Sequence, residues 1–414
     1  MNNQVWPSYS SDLCNALEID HFEDEDVKHL LNEGVTSSSL LEAAHLIQQK
    51  EKSPLLKLNL DMEAEEDVNH IENLPKILEI ACSSGTMQVT LDCIESDRTR
   101  SVMLKVQAPF SALMMLIGSN RTFKWICAHP REMHWALQTL TEKTFDFCRE
   151  AISRGVPILS LADPSGMLEL LGEKRYQEFC AFYAILLLRK LMPYLDETVV
   201  HICPRTSLIL ERLQLIHGEM HHFTHENYAG VVLQYAKQRE VHIMGHRCIN
   251  LEHSVDNRAY ILTLNPPASC ILPMEEKDWS RVSEIYNEGI QSKKATIVKI
   301  LPEKEQWLAA HSVCLVAKFL GNIIGFIALS KKEIPEVSVY IEKDFQGQGV
   351  GTALLKALQS RTTQKIRALI FENNVMSIRL HEGCGFENVG TFCFAEDERR
   401  VRIYEWEAKH EHTI

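Results

Sequence analysis

The sequence predicts two domains that each combine helices and strands, a (β/α) barrel followed by a mixed α+β domain. The chain has 414 residues, more than one ordinary hydrophobic core accommodates. From about residue 101 onward, strand-like and helix-like segments alternate, and a long series of such units is typical of a barrel of the TIM type. After residue 270 the pattern changes to a strand pair, a glycine-rich turn and a closing strand pair.

This change of pattern places a domain boundary near 270–276. We expect an acidic, helical N-terminal segment over 1–40, the barrel over 41–272 and the second domain over 273–414. The barrel is irregular at its end. Only about ten residues precede the strand AYILTLNP, which is short for the helical crossover that a parallel strand requires.

The composition narrows the class of protein. A hydrophobic content of 45% and a charged content of 24% are typical of a soluble globular protein. The net charge of -13 argues against nucleic-acid binding, which needs a surplus of Lys and Arg. No run is apolar enough for a membrane helix, and the first residues lack a secretory pattern. With twelve scattered cysteines, this predicts a cytoplasmic protein with reduced thiols.

A glycine-rich turn is the sharpest motif in the chain. Residues 346–351 read QGQGVG, follow the strand EVSVYIE and open the helix VGTALLKALQ. Backbone N–H groups converge at a helix N-terminus, where the helix dipole favours an anion, and glycines let that anion approach closely. The turn therefore predicts a pyrophosphate site.

In this setting the turn resembles the signature of the GNAT superfamily of acetyltransferases, and the resemblance extends over 274–407. IYNEGIQSKKATI, EVSVYIEKDFQGQGVG and ENNVMSIRLHEGCGF look most like the phosphinothricin and methionine-sulfoximine acetyltransferase branch. The resemblance implies acetyl-CoA as cosubstrate. The residues that it implies for cofactor binding are Val339, Tyr340 and Ile341 along the pantetheine arm, Gln346, Gly347, Gln348, Gly349, Val350, Gly351 and Thr352 at the pyrophosphate, and Asn374 beside the cofactor.

Acetyl transfer requires an amine to lose a proton and a thiolate to leave, work that a carboxylate and an imidazole perform. The family comparison points to Glu336 as the base and to His381 as its partner. The alternatives are a solvated strand-edge carboxylate and a capping or packing histidine. The loop that helps to recognise the acceptor in the phosphinothricin branch is shortened here to KKEIP, so we expect only a small amine or amino-acid-like acceptor.

A second candidate site lies in the predicted barrel. His201 and Cys203 stand at i and i+2 on one strand, so both side chains point to one face, at the strand end where barrel active sites form. With Cys270, or with Cys248 as the second choice, they would give a three-ligand zinc site with an open position. The alternative interpretation is a packed pair.

Segments such as HPREMHWALQTLTEKTFDFCREAISRGVPILSLADP and VVHICPRTSLILE resemble the uroporphyrinogen decarboxylase superfamily, over about 40–272. Within it they are most similar to the methylcobamide–coenzyme M methyltransferase branch. That resemblance implies a zinc site at His201, Cys203 and Cys270 that activates a thiol. The chain has no Asp-x-His-x-x-Gly segment for a corrinoid, so a methyl-corrinoid would arrive on a separate protein.

Two hypotheses follow for the whole chain. In the first, both domains are enzymes, an N-acetyltransferase and a zinc-dependent corrinoid:thiol methyltransferase. In the second, the barrel is a catalytically degenerate module that binds a ligand or partner. Asp163 at a strand end is a weaker candidate for substrate contact, with a turn cap as the alternative. His221, His222 and His225 resemble a metal cluster, with a polar barrel rim as the alternative.

Overall fold

The computed structural model describes residues 36–51, 53–59, 70–81, 85–97, 99–223, 227–249, 258–393 and 399–408. The chain divides into two compact units, residues 1–265 and 266–414. Most of the predicted N-terminal segment and His225 lie outside the described residues. In the described part of the chain, no helix has the length and apolar character needed to cross a membrane.

The first unit is a seven-stranded sheet with helices between its strands. The strands are β1 (Leu56–Asn59), β2 (Val102–Gln107), β3 (Ile158–Ala162), β4 (Val199–Ile202), β5 (Ile216–His222), β6 (Ile243–Gly245) and β7 (Arg258–Leu264). The helices are α1 (Ser37–Glu51), α2 (Leu74–Ala81), α3 (Gly85–Ser96), α4 (Pro109–Ile117), α5 (Ser119–Ala128), α6 (Pro130–Ser153), α7 (Leu168–Arg175), α8 (Phe182–Leu191), α9 (Pro204–Arg212) and α10 (Tyr228–Ala236).

This sheet is open over the described residues, which corrects the prediction of a barrel. The strand order is β1-β2-β3-β4-β6-β7-β5, so β1 and β5 form its two edges. Neighbours from β1 to β6 are parallel, whereas β7 runs antiparallel to both β6 and β5. The segment 246–257 before β7 is too short for a helical crossover, and β7 therefore turns back along the sheet instead of extending the parallel series.

The second unit contains two smaller sheets, with strand orders β11-β10-β9-β8 and β12-β14-β13. Its strands are β8 (Cys270–Pro273), β9 (His311–Phe319), β10 (Asn322–Ser330), β11 (Val337–Ile341), β12 (Ile366–Phe371), β13 (Glu387–Cys393) and β14 (Arg400–Trp406). Its helices are α11 (Trp279–Gln291), α12 (Lys304–Ala310), α13 (Val350–Gln359) and α14 (Val375–Gly383).

The predicted hairpin and the separation of the two sheets position the functional site of this unit. Leu320 and Gly321 both have positive φ, 49° and 86°, and join β9 to β10 in a tight turn. Among the described residues, a parallel bridge between Glu336, just before β11, and Arg367 of β12 links the two sheets. The sheets are otherwise separate in their strand pairing over these residues, and both β11 and β12 line a cavity.

Candidate functional site

The glycine-rich turn lies where the sequence predicts it, between β11 and α13. Gly347 and Gly349 have φ of 72° and 85°, in the left-handed region that favours glycine, and Gly349 is the residue that precedes the first turn of α13. The side chain of Gln346 donates to the carbonyl of Ile341 at 3.0 Å, and that of Gln348 to the carbonyl of Asp344 at 3.0 Å. These bonds hold the turn against the end of β11.

The space around the turn suits an anion. A Cβ added at Gly349 would meet nothing within 4 Å, and one added at Gly347 would only reach Met376 at 4.0 Å. The first N–H groups of a helix have no acceptor within the helix, so those that open α13 are suited to phosphate oxygens. Gly351 has another role, because a Cβ there would lie 2.9 Å from Leu380, so this glycine allows α13 to pack closely on α14.

A cavity of about 590 Å³ lies within the second unit. Its walls come from β11, β12, the segment 295–298, the end of α12 with the start of β9, and α14. Glu336 and His381, predicted from distant parts of the sequence, both line it. The structure therefore brings the two proposed catalytic residues to the lining of one cavity.

Glu336 is half-buried at the start of β11. Its N–H donates to Ser330 Oγ at 2.8 Å, and its carboxylate Oε2 lies 2.6 Å from Lys332 Nζ. The exposed Lys332 belongs to the shortened KKEIP loop. The carboxylate therefore forms an ion pair with this lysine.

His381 is 2% exposed and lies on α14. Its Nδ1 is 2.7 Å from the carbonyl oxygen of Ser377. A carbonyl can only accept, so Nδ1 carries the hydrogen and Nε2 has a lone pair. Among the described residues that Nε2 has no hydrogen-bond partner, and burial lowers the pKa of the imidazole. The side chain is a neutral hydrogen-bond acceptor without a partner.

The other predicted cofactor residues take several positions. Val339 and Tyr340 line the cavity, and Tyr340 stacks on Phe326 with ring centroids 5.1 Å apart. Ile341 follows at the end of β11. Asn374 caps α14, accepting from the N–H of Ser377 at 3.2 Å, and its amide donates to the carbonyl of Lys294 at 3.1 Å.

Several cavity residues were missed by the sequence analysis. His311 and Trp307 form one wall, with ring centroids 4.3 Å apart, and Lys331 and Lys332 line the cavity near Glu336. None of these four residues belongs to a glycine-rich motif or to a His-x-Cys motif. The spacing of four between Trp307 and His311, across the end of a helix, was the available signal.

The predicted zinc ligands do not assemble into a metal site. In the part of the chain that the structure describes, no group of three or more His, Cys, Asp or Glu side chains is placed to hold a metal ion. His201 Nε2 lies 2.9 Å from the carbonyl oxygen of Arg247, and Nδ1 lies 3.4 Å from Ser160 Oγ. Since a carbonyl only accepts, Nε2 carries the hydrogen and Nδ1 has the lone pair.

The predicted thiol ligands all lie outside β4, the strand that carries His201. Cys203 is half-buried just after β4, as the residue that precedes α9. Cys270 lies in β8, where it pairs with Lys318 of β9 in the sheet of the second unit, and it does not end the last strand of the first. Cys248, the second choice, is buried. The donor set does not fit zinc.

The weaker candidates have local roles. Asp163 is 3% exposed and accepts from Ser111 Oγ at 2.5 Å, and burial raises the pKa of its carboxyl group. This supports the turn-cap interpretation. His221 and His222 lie at the end of β5, partly or fully exposed, in agreement with a polar rim.

An anion-binding turn beside a cleft between two splayed sheets defines an acyl-transferase class of protein. Residues 279–386 match the family model "Acetyltransferase (GNAT) family", and residues 48–247 match "Uroporphyrinogen decarboxylase (URO-D)". A "Putative phosphinothricin acetyltransferase" of Bacillus subtilis is 31% identical over 136 residues, 28% of this chain and 83% of that protein. The chain belongs to the GNAT family through its second unit, and residues 48–247 of its first unit are similar to the URO-D family model.

Further similarities concern the same second unit. A "Probable spermine N(1)-acetyltransferase" of Bacillus subtilis subsp. natto is 35% identical over 68 residues, 15% of this chain and 45% of that protein. An acetyltransferase structure from Salmonella typhimurium with its cofactor acetyl-CoA is 22% identical with a TM-score of 0.32, covering 35% of this chain and 96% of that one. A structure described as a "putative phosphinothricin N-acetyltransferase" is 25% identical with a TM-score of 0.31, covering 34% and 98%.

Proposed function

We propose that the second unit transfers the acetyl group of acetyl-CoA to the amine of a small, amino-acid-like acceptor. The observation that carries the proposal is the combination of the open glycine turn at Gly347 and Gly349 with a cavity lined by Glu336 and His381. Acetyl-CoA supplies the acetyl group as a thioester. The turn and the start of α13 would hold its pyrophosphate, with Val339 and Tyr340 along its arm and Asn374 nearby.

We assign the proton transfer to His381 and Glu336, with their roles exchanged relative to the sequence prediction. His381 is the base, and Glu336 is its partner. As the amine nitrogen bonds to the acetyl carbon and the carbon–sulfur bond breaks, the amine proton passes to His381 Nε2 and then to the departing thiolate. His381 suits this because it is neutral and its lone pair has no partner among the described residues. Glu336, paired with Lys332, would orient the amine at the cavity mouth.

The charges around the cavity support an acceptor with an acidic group. Among the described residues that line it, Lys331 and Lys332 are accompanied by a single carboxylate, that of Glu336. His311 and His381 add no positive charge near neutral pH, since burial lowers the pKa of both imidazoles. A net positive lining favours an amino acid over a polyamine.

For the first unit we propose the second hypothesis, a module that binds a ligand or partner, with acetyl transfer as the chain's chemistry. The support is that, among the described residues, no group of three or more His, Cys, Asp or Glu side chains is placed to hold a metal ion. The proposal therefore omits zinc-dependent methyl transfer and the separate corrinoid protein that was expected as methyl donor.

The test is acetyl transfer by the full-length chain to three amines: phosphinothricin, L-methionine sulfoximine and spermine. Release of CoA thiol and the mass of the product are measured for each. We expect acetylation of the two amino-acid analogues and little of spermine. A preference for spermine would contradict the acceptor class, and no transfer to any of the three would contradict the function.

A further inference from the structure

His311 has the same hydrogen-bonding arrangement as His381 and lies on another wall of the cavity. His311 begins β9, and its Nδ1 lies 2.6 Å from the carbonyl oxygen of Trp307, four residues earlier. Because that carbonyl can only accept, the hydrogen is on Nδ1 and the lone pair is on Nε2. The same spacing of four residues fixes His381 through Ser377.

The surroundings hold the His311 ring in this position. Its ring packs on Trp307 with centroids 4.3 Å apart, and Trp307 is 4% exposed and packs on Phe326 at 5.9 Å. Ser330 lies opposite His311 in the β9–β10 pairing, and the N–H of Lys331 donates to the carbonyl of Ala310. These contacts fix the backbone on either side of His311. A ring with one nitrogen tied and its body stacked is preorganised for a ligand.

The charge state of His311 agrees with a role as a hydrogen-bond acceptor. Burial lowers the pKa of His311, and the neighbouring Lys331 ammonium lowers it further. The imidazole is therefore neutral near pH 7 and presents a lone pair. His311 is half-buried and lines the cavity, whereas His381 is almost fully covered, so the two histidines differ in depth.

We propose that His311 is a specificity-determining residue of the acetyl acceptor site, whose Nε2 accepts a hydrogen bond from an N–H or O–H group other than the reacting amine. The acceptor class is thus an amino-acid-like amine whose side chain carries a hydrogen-bond donor. This inference rests on the function proposed above. His381 takes the proton of the amine, and His311 selects the remainder of the molecule.

The experiment compares two probes that differ in a single donor. L-methionine sulfoximine carries an N–H where L-methionine sulfone carries an oxygen, and the two molecules have nearly the same shape. For the wild type we expect kcat/KM to be about tenfold higher for the sulfoximine, the scale of one net hydrogen bond. In His311→Phe, which keeps a ring but has no lone pair, we expect this ratio to fall to about one through the KM of the sulfoximine.

Three controls keep the result interpretable. His311→Gln, which retains a side-chain acceptor, should restore part of the ratio. The Kd of acetyl-CoA, measured by calorimetry, should be unchanged in both variants, which shows that the fold is intact. Kinetic constants for the sulfone should change by a smaller factor than those for the sulfoximine.

An unchanged ratio in His311→Phe would overturn the inference, as would an equal fall of kcat for both probes, which would place His311 at the reacting atoms. These results concern the variant alone. No transfer by the wild type to either probe or to the earlier amines would overturn the proposed function and this inference with it.

Discussion

Two buried histidines, one in each unit, share nearly every local property and yet differ in what they are able to do. His201 is 1% exposed and His381 is 2% exposed, and each binds a backbone carbonyl through one ring nitrogen. The second nitrogen of His201 faces Ser160 Oγ at 3.4 Å. The second nitrogen of His381 has no partner among the described residues, and its ring borders a cavity.

The difference teaches that residue type and burial do not identify a reactive histidine. The bond to the carbonyl decides which nitrogen carries the hydrogen, and the contacts of the other nitrogen decide whether chemistry is available. At His201 the ring joins β4 to the backbone of Arg247 and lies edge-on to Tyr228 at 5.9 Å. These contacts give His201 a structural role, whereas His381 remains able to accept a hydrogen bond.

The largest effect is expected from replacing a glycine of the glycine-rich turn, in the same unit as His381. Replacing Gly349 by Leu should reduce acetyl-CoA affinity by at least about a hundredfold, because a side chain would occupy the open space at the turn and the φ of 85° disfavours any residue but glycine. Calorimetry measures the Kd. Gly383→Ala is the matched control, since a Cβ there also meets nothing within 4 Å but lies at the far end of α14.

If Gly349→Leu bound acetyl-CoA as the wild type does, the assignment of the turn to the pyrophosphate would be wrong. Circular dichroism and the melting temperature of both glycine variants distinguish a lost site from a lost fold. We expect both variants to keep their helical signal, because the turn is on the surface.

A smaller effect is expected at His381 itself. His381→Ala should lower kcat by about a hundredfold, the typical contribution of a positioned base, and Glu336→Gln by about tenfold. Because burial lowers the pKa of His381, the base stays unprotonated down to a pH below the usual histidine value of about 6.5. Wild-type kcat should therefore be level near pH 7 and fall only in more acidic solution.

This acidic decline of kcat should be absent in His381→Ala and retained in Glu336→Gln. A larger loss in Glu336→Gln than in His381→Ala would return the role of base to Glu336, as the sequence comparison suggests. A decline that begins above pH 6.5 in the wild type would contradict the environment that the structure gives His381.

The contrast between the two units also separates what the sequence could predict from what it could not. The β9–β10 hairpin and the glycine turn were predicted because their signals are local: Gly321, Gly347 and Gly349 stand where the backbone needs positive φ. The open sheet was not predicted, because the partner of a strand depends on distant residues. Cys270 was wrongly placed for this reason, as β8 pairs with β9 of the second unit.

Only some residues of the candidate site were proposed from the sequence, for the same physical reason. Glu336 and His381 were found by family resemblance, but their contacts, with Lys332 and with Ser377, follow from helix and loop geometry that no motif encodes. His311 had no motif, and its role emerges only where the end of α12 brings the Trp307 carbonyl to its ring. The zinc prediction placed His201 and Cys203 on one strand, but that strand ends at Ile202, and the bond of His201 to the Arg247 carbonyl has no sequence signal.

The smallest effect is expected at His201, where we predict no change in metal content. Purified protein should hold no stoichiometric zinc by elemental analysis, and His201→Ala and Cys203→Ser should not differ from it. His201→Ala should instead lose about 1–3 kcal/mol of stability in urea, because the buried Arg247 carbonyl would lose its donor. About one zinc per chain, absent from both variants, would show that the described conformation hides a metal site and would restore methyl transfer as a second activity. A stability loss without a metal difference would instead assign His201 to its hydrogen bond with Arg247, in contrast to His381, whose Nε2 has no partner among the described residues.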